Sequence, residues 1–161
     1  MDKQNQRQKL IALRKTVPSV STGNEIRFLD TCVQWNDVSN VHIYRHNPRL
    51  NEYKTTTILK WIQNNYPHIG IKQPDTHMHA TMHTDVFDVV IVPVVGFDKS
   101  GNRIGMGGGW YDKFLAMHPN ALKVGLAYDE CELQKIEPEP HDVRLDYIIT
   151  PTRLIDTHQL Q

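Results

Sequence analysis

The spacing of hydrophobic and polar positions changes several times along the chain, and each change marks an element. Over residues 3–15, Leu10, Ile11 and Leu13 form the apolar side of a short amphipathic helix that Pro18 ends. Ser21 or Thr22 is placed to cap a second helix, in which Ile26, Leu29, Val33 and Cys32 share a face. Residues 41–44 alternate and run into a polar loop, which predicts a short strand. A third helix is predicted from Asn51 to about Tyr66, with Ile58, Leu59, Trp61 and Ile62 toward the core and Pro67 as its stop. Residues 69–72 read as a strand and the polar stretch 73–84 as a loop. Val89, Val90, Ile91 and Val92 form an unbroken β-branched run, the pattern of a strand buried on both faces. A loop to Gly109, a helix over 110–117 and buried strands over 122–128 and 145–150 complete the chain. Strands alternating with helices predict an α/β fold: a single three-layer domain over residues 1–161 with a mainly parallel sheet of about five strands.

Composition narrows the function. The chain is 39% hydrophobic, yet no window approaches the ~20 consecutive apolar residues of a membrane span. Lys+Arg 18 balances Asp+Glu 18, which argues against a nucleic-acid or anionic-membrane binder working through bulk charge. Anion binding must then come from a local cluster. The two cysteines, Cys32 and Cys131, make no disulfide framework and fit no zinc spacing. The first fifteen residues lack the apolar core of a signal peptide, so a reducing cytoplasm is expected. Cys131 follows Asp129-Glu130 without a basic neighbour, which suits a structural thiol. His77, His79 and His83 are spaced so that two at a time, but not all three, align for a metal in a regular structure.

The chemistry concentrates in residues 93–112, PVVGFDKSGNRIGMGGGWYD, after the strongest strand and into a helix. Ligands bind at such strand-to-helix junctions in doubly wound sheets. Lys99-Ser100-Gly101-Asn102 is a turn signal, and Gly105, Gly107, Gly108 and Gly109 follow within five residues. Glycines permit positive φ and close approach of backbone N–H groups to a ligand, so the run suits an anion cradle. Arg103 stands before it as a fixed charge for phosphate, and Asp112 lies in the first helical turn, where it suits Mg²⁺ or simply the helix dipole. The segment matches neither G-x-G-x-x-G nor G-x-x-x-x-G-K-[ST]. The residues alone leave a phosphate cradle and a surface loop both open.

The pattern from the strand through Pro, Phe-Asp, a turn and Arg-hydrophobe-Gly-x-Gly-x-Gly-aromatic-Tyr-Asp resembles the 5-formyltetrahydrofolate cyclo-ligase family, as does KVGLAYDECELQKIEPEPHDVRLDYIIT farther on. The likeness extends more weakly over the N-terminal half. It implies conversion of 5-formyltetrahydrofolate to 5,10-methenyltetrahydrofolate with ATP and Mg²⁺, by a cytoplasmic monomer whose partner is a reduced folate rather than nucleic acid or membrane. It implies that Arg103, Tyr111 and Asp112 serve the reaction. Lys3, Arg7, Arg103, Gly105, Gly107, Gly108, Gly109, Trp110 and Tyr111 would hold ATP. Glu52, Met106, Gly107, Gly108, Gly109 and Trp110 would border the folate, and Asp112 and Asp142 would hold the metal.

Each role has a plainer competitor. Lys3 and Arg7 match the family's Lys-x-x-x-Arg spacing, but Lys9 or Arg14 compete for it, and a solvated helix face explains the charges as well. Asp142 reads equally as a loop carboxylate after Pro140, and Glu52 as a first-turn helix glutamate. The chain also departs from the family: residues 73–84 replace a longer stretch with a Gly-x-x-Glu-Pro-like element, and Trp110 stands for a more usual Tyr. An ATP-dependent enzyme with another small substrate, or a non-catalytic nucleotide-binding protein, therefore stands beside the cyclo-ligase reading.

Overall fold

The computed structural model describes residues 2–19, 21–74 and 85–159. The chain begins with α1 (Lys3–Thr16) and α2 (Asn24–Cys32), forms β1 (Asn40–Ile43), and passes through α3 (Thr56–Asn65) to β2 (Gly70–Lys72). It then enters β3 (Val89–Pro93), a hairpin of β4 (Gly96–Phe97) and β5 (Arg103–Ile104), and α4 (Trp110–Ala116). Strands β6 (Leu122–Leu126), β7 (Tyr147–Ile149) and β8 (Leu154–Asp156) follow. Among the described residues the main sheet has six strands in the order β2-β1-β3-β6-β7-β8, parallel except for β8 on β7. The predicted β-branched run is its centre, and Val89 to Val92 are all buried.

This order positions the site. From β1 the chain steps outward to β2, returns past β1 to β3, and then steps the other way to β6. Right-handed crossovers in opposite directions put α3 and α4 on opposite faces, giving the three layers. On the α4 face, the His42 ring of β1 lies 4.4 Å from that of Phe114. Neighbouring connections diverge between β1 and β3, and a crevice opens beyond their carboxyl ends. Trp61 packs in an aromatic cluster, edge-on to Trp35 at 5.3 Å.

Several sequence expectations need correction. The mainly parallel sheet of about five strands is present, and β8 adds a three-residue edge after a Pro151-containing turn, too short to show a period. The predicted loop before Gly109 contains the β4–β5 hairpin, whose turn Asp98 organises by accepting from the amides of Ser100 (3.0 Å) and Asn102 (3.1 Å). On α1 the inward partner of Leu10 is Arg14, not Leu13, which is 40% exposed. Neither Ser21 nor Thr22 is the cap of α2; that residue is Gly23, with φ +79 and no side-chain bond. Ser21 Oγ instead donates to buried Glu25 at 2.5 Å. Helix α3 starts at Thr56, not Asn51. Pro48–Leu50 makes a 3-10 turn, and Asn51 ends it in the left-handed region at φ 49. Glu52 is therefore a loop residue, and the first-turn helix explanation for it falls.

Two partly desolvated imidazoles set a pH dependence. Burial lowers the pKa of His118, and burial with the nearby Lys54 charge lowers that of His46. His46 Nδ1 accepts from the Thr55 amide at 3.3 Å, which requires a neutral ring nitrogen. The unfolded chain binds these protons first as pH falls through the ordinary histidine range, so folded stability drops there. We expect Tm to fall from neutral to mildly acidic pH, before the carboxylates titrate. His118→Asn should flatten that fall in thermal melts; an unchanged slope would exclude His118 as a contributor.

Candidate active site at the sheet switch point

A cavity of about 600 Å³ opens at the carboxyl ends of β1 and β3. Four separated stretches wall it: α1, the turn after β1, the segment from β3 to α4, and residues 139–142. Every site residue predicted from the sequence lines it: Lys3, Arg7, Glu52, Arg103, Gly105, Met106, Gly107, Gly108, Gly109, Trp110, Tyr111, Asp112 and Asp142. Of the competing cations, Lys9 is exposed on α1, whereas Arg14 also lines the cavity. A chain with no net charge thus gathers Lys3, Arg7, Arg14 and Arg103 in one place.

One corner is built from carboxylates. Asp112 Oδ1 accepts from Arg103 Nη2 at 2.9 Å and from the Val143 amide at 3.1 Å. Arg103 is itself anchored, with Nη1 donating to Val143 O at 2.6 Å. Asp142 Oδ2 accepts from the Glu139 amide at 2.9 Å and pairs with Lys3 Nζ. Burial works to raise the Asp142 pKa, but the Glu139 amide, Lys3 and His141 outweigh it and hold the group below the usual carboxylate range. Asp112, His141 and Asp142 each bring one ligand atom within 4.8 Å of the others. The hydrogen bonds engage Asp112 Oδ1 and Asp142 Oδ2, and Asp142 Oδ1 lies 3.6 Å from His141 Nε2. That donor set fits a hard divalent cation that keeps part of its water shell. His141 was not singled out in the sequence; its place between two candidate acids, in Glu139-Pro140-His141-Asp142, was the available signal.

The glycine stretch meets Arg7. Arg7 Nε donates to Gly105 O at 2.7 Å, and its guanidinium lies across Gly107. Gly107 has φ +100, and a Cβ there would stand 3.2 Å from Arg7 Nη1. Gly108 is different, since an added Cβ meets nothing within 4 Å. Gly107→Ala should therefore combine a left-handed penalty of about 1–2 kcal/mol with a displaced Arg7. We expect ATP affinity to fall by about tenfold, or some 1.4 kcal/mol, while Gly108→Ala melts like the parent. Equal ATP affinity for Gly107→Ala in calorimetry would remove Arg7 from the cradle. Trp110 stacks on Phe114 with ring centroids 4.9 Å apart, so the aromatic wall is preformed.

The inner end is formed by Glu52 and Tyr111. Glu52 Oε2 accepts from the Asn47 amide at 2.9 Å. Burial raises its pKa, with the Asn47 amide and the Arg14 charge opposing. Tyr111 is buried and its hydroxyl makes no hydrogen bond. Burial, reinforced by the Glu52 charge, pushes its phenol far above the ordinary value. Cys131 is buried away from solvent, and burial pushes its thiol up to about 11. The histidines at 77, 79 and 83 lie outside the described residues.

This geometry can be set beside known proteins. The family model described as "5-formyltetrahydrofolate cyclo-ligase family" matches residues 41–151. The chain belongs to that family. It is 37% identical over 89 residues to the 5-formyltetrahydrofolate cyclo-ligase of Escherichia coli K12, covering 53% of this chain and 48% of that one. Its likeness to the Saccharomyces cerevisiae 5-formyltetrahydrofolate cyclo-ligase is 31% over 137 residues, or 79% of this chain and 63% of the yeast protein. The chain thus spans about half the length of the Escherichia coli cyclo-ligase it matches. In fold it is similar to the Aquifex aeolicus 5,10-methenyltetrahydrofolate synthetase (TM-score 0.76, 20% identity, 98% of this chain and 93% of that one). A Mycoplasma pneumoniae 5,10-methenyltetrahydrofolate synthetase gives 0.74 at 20% identity, covering 98% and 99%. The chain thus shares the fold of these two synthetases.

Proposed function

We propose that the chain converts 5-formyltetrahydrofolate to 5,10-methenyltetrahydrofolate with ATP and Mg²⁺, as a cytoplasmic monomer. The observation that carries this is the convergence of Lys3, Arg7, Glu52, the 103–112 segment and Asp142 on one cavity. These residues come from four stretches of one chain, and family membership points to the same chemistry.

The formyl oxygen on N5 is a poor leaving group. Transfer of the γ-phosphoryl from ATP to that oxygen releases ADP and activates the formyl carbon. N10 attacks the carbon and loses its proton to solvent, and the C–O bond breaks to release phosphate and leave the methenyl bridge. No protein nucleophile is needed, and Cys131 is buried and does not line the cavity. Phosphoryl transfer asks for positioning and charge neutralisation. In this reading Arg7 and the glycine stretch hold the phosphates, Arg103 orients Asp112, and Lys3 orients Asp142. Asp112 and Asp142, with His141 beside them, would hold the magnesium ion, which supplies charge neutralisation at the phosphates when bound. Glu52 accepts N–H groups of the pterin, and Trp110 offers a ring face.

The test is an absorbance assay for the methenyl product with 5-formyltetrahydrofolate, ATP and Mg²⁺. Product should form only with both ATP and metal. ATP binding without product from any reduced folate would favour a different substrate and end the cyclo-ligase assignment.

A further inference from the structure

Arg14 has no role in the reaction just described, yet it is the most deeply buried cation on the cavity, 2% exposed. Its backbone is fastened, because Asn51 Nδ2 donates to the carbonyls of Arg14 (2.7 Å) and Val17 (2.8 Å). Two of its guanidinium nitrogens are engaged: Nε donates to Leu50 O at 2.9 Å and Nη1 to Val94 O at 3.3 Å. These bonds tie α1 to both the turn that carries Glu52 and the end of β3. The third nitrogen, Nη2, is buried and has no hydrogen-bond partner. Leaving a buried donor unpaired costs about 1–3 kcal/mol, and more when it is charged. A clamp alone needs only Nε and Nη1, so the packing leaves one charged donor in want of an acceptor.

Two neighbours define what that acceptor is. Tyr111 presents a second unpartnered buried donor on the same cavity. Glu52 presents an acceptor close enough for the Arg14 charge to lower its pKa. The same cavity therefore carries an unpaired charged donor and a carboxylate whose charges interact. A reduced pterin carries the complement on one edge, a ring carbonyl at C4 next to the N3–H and the 2-amino group. Polyphosphate does not fit here, because its oxygens would face Glu52.

We propose that Arg14 is a substrate-recognition residue whose Nη2 donates to the C4 carbonyl oxygen of the pterin while Glu52 accepts from the adjoining N–H groups. This rests on the reduced-folate reading above. It makes Arg14 the group by which the site distinguishes 4-oxo from 4-amino heterocycles, since an amino group at C4 sets donor against donor.

The experiment compares 5-formyltetrahydrofolate with its 4-amino counterpart by calorimetry, without ATP, on the full chain and on Arg14→Lys and Arg14→Gln. ATP binding is measured separately on each. The parent chain should prefer the 4-oxo ligand by about 10- to 100-fold, the range of a hydrogen bond to a charged group. Both variants should lose most of that preference while binding ATP within about twofold of the parent, a pattern that loss of the clamp alone does not produce. A preference that survives in the variants, or an ATP defect larger than the folate defect, overturns the assignment. Should neither variant fold, the parent decides: a preference supports the assignment and equal affinities overturn it. A parent that binds ATP but neither folate shows instead that the reduced-folate reading itself has failed, and the assignment goes with it.

Discussion

Asp112→Asn is expected to lower turnover by about 10²–10³-fold while leaving Tm within a few degrees of the parent. The two effects separate because Asp112 has two tasks, one as a hydrogen-bond acceptor and one as a charge. Oδ1 accepts from Arg103 Nη2 and the Val143 amide, and the amide oxygen of Asn can take over both bonds. The carboxylate also belongs to the cluster with His141 and Asp142, and there the negative charge is lost. Asp112→Ala removes both functions. It leaves Arg103, whose side chain is 6% exposed, without its carboxylate partner. Breaking a buried pair from one side costs about 3–5 kcal/mol, so the Ala variant should lose stability as well as turnover. A readout independent of activity is the Mn²⁺ affinity of the nucleotide-free protein, which should weaken in Asp112→Asn and in Asp142→Asn. Full turnover in Asp112→Asn would remove the carboxylate from the metal role and leave it an anchor for Arg103.

How far the sequence carried the fold depended on whether an element's period could be read. The Val89–Val92 run and the α1, α3 and α4 patterns were legible because burial leaves a mark over a full strand or several turns. Strand β8 and the β4–β5 hairpin were not, because two or three residues are too few to show a period. Arg14 escaped for a different reason. Pattern reading assigns charges to the solvent face, and here the i+4 neighbour of Leu10 is an arginine held by two backbone carbonyls. The candidate site was legible where the glycines, Arg103 and Asp112 form one local segment. Glu52 was placed on a helix that does not begin until Thr56, since the left-handed Asn51 that ends the preceding turn carries no hydrophobic signal. The contact of Lys3 with Asp142, 139 residues away, is invisible to any local rule.

Glu52→Gln is expected to weaken reduced-folate binding by about 10- to 100-fold, the worth of a charge-assisted hydrogen bond, with ATP affinity unchanged. The neutral amide still accepts from the Asn47 amide, so the turn keeps its shape and the loss is one of charge at the ligand. The pH dependence gives the same residue a second signature. Burial raises the Glu52 pKa against the pull of the Asn47 amide and Arg14. In the free protein the carboxyl therefore takes up a proton at higher pH than an ordinary glutamate. Ligand N–H groups need the carboxylate, so folate affinity should fall as pH drops through that raised value, and this acid limb should be absent in Glu52→Gln. Stability moves in the opposite sense. A carboxyl with a raised folded pKa binds its proton more readily in the folded than in the unfolded chain, so its ionisation costs stability at neutral pH. Glu52→Gln removes that cost, and its Tm at neutral pH should equal or exceed the parent's. A protein that gains stability as it loses its ligand is one that carried the charge for binding. A Tm that falls in Glu52→Gln with folate affinity intact would make Glu52 a fold residue.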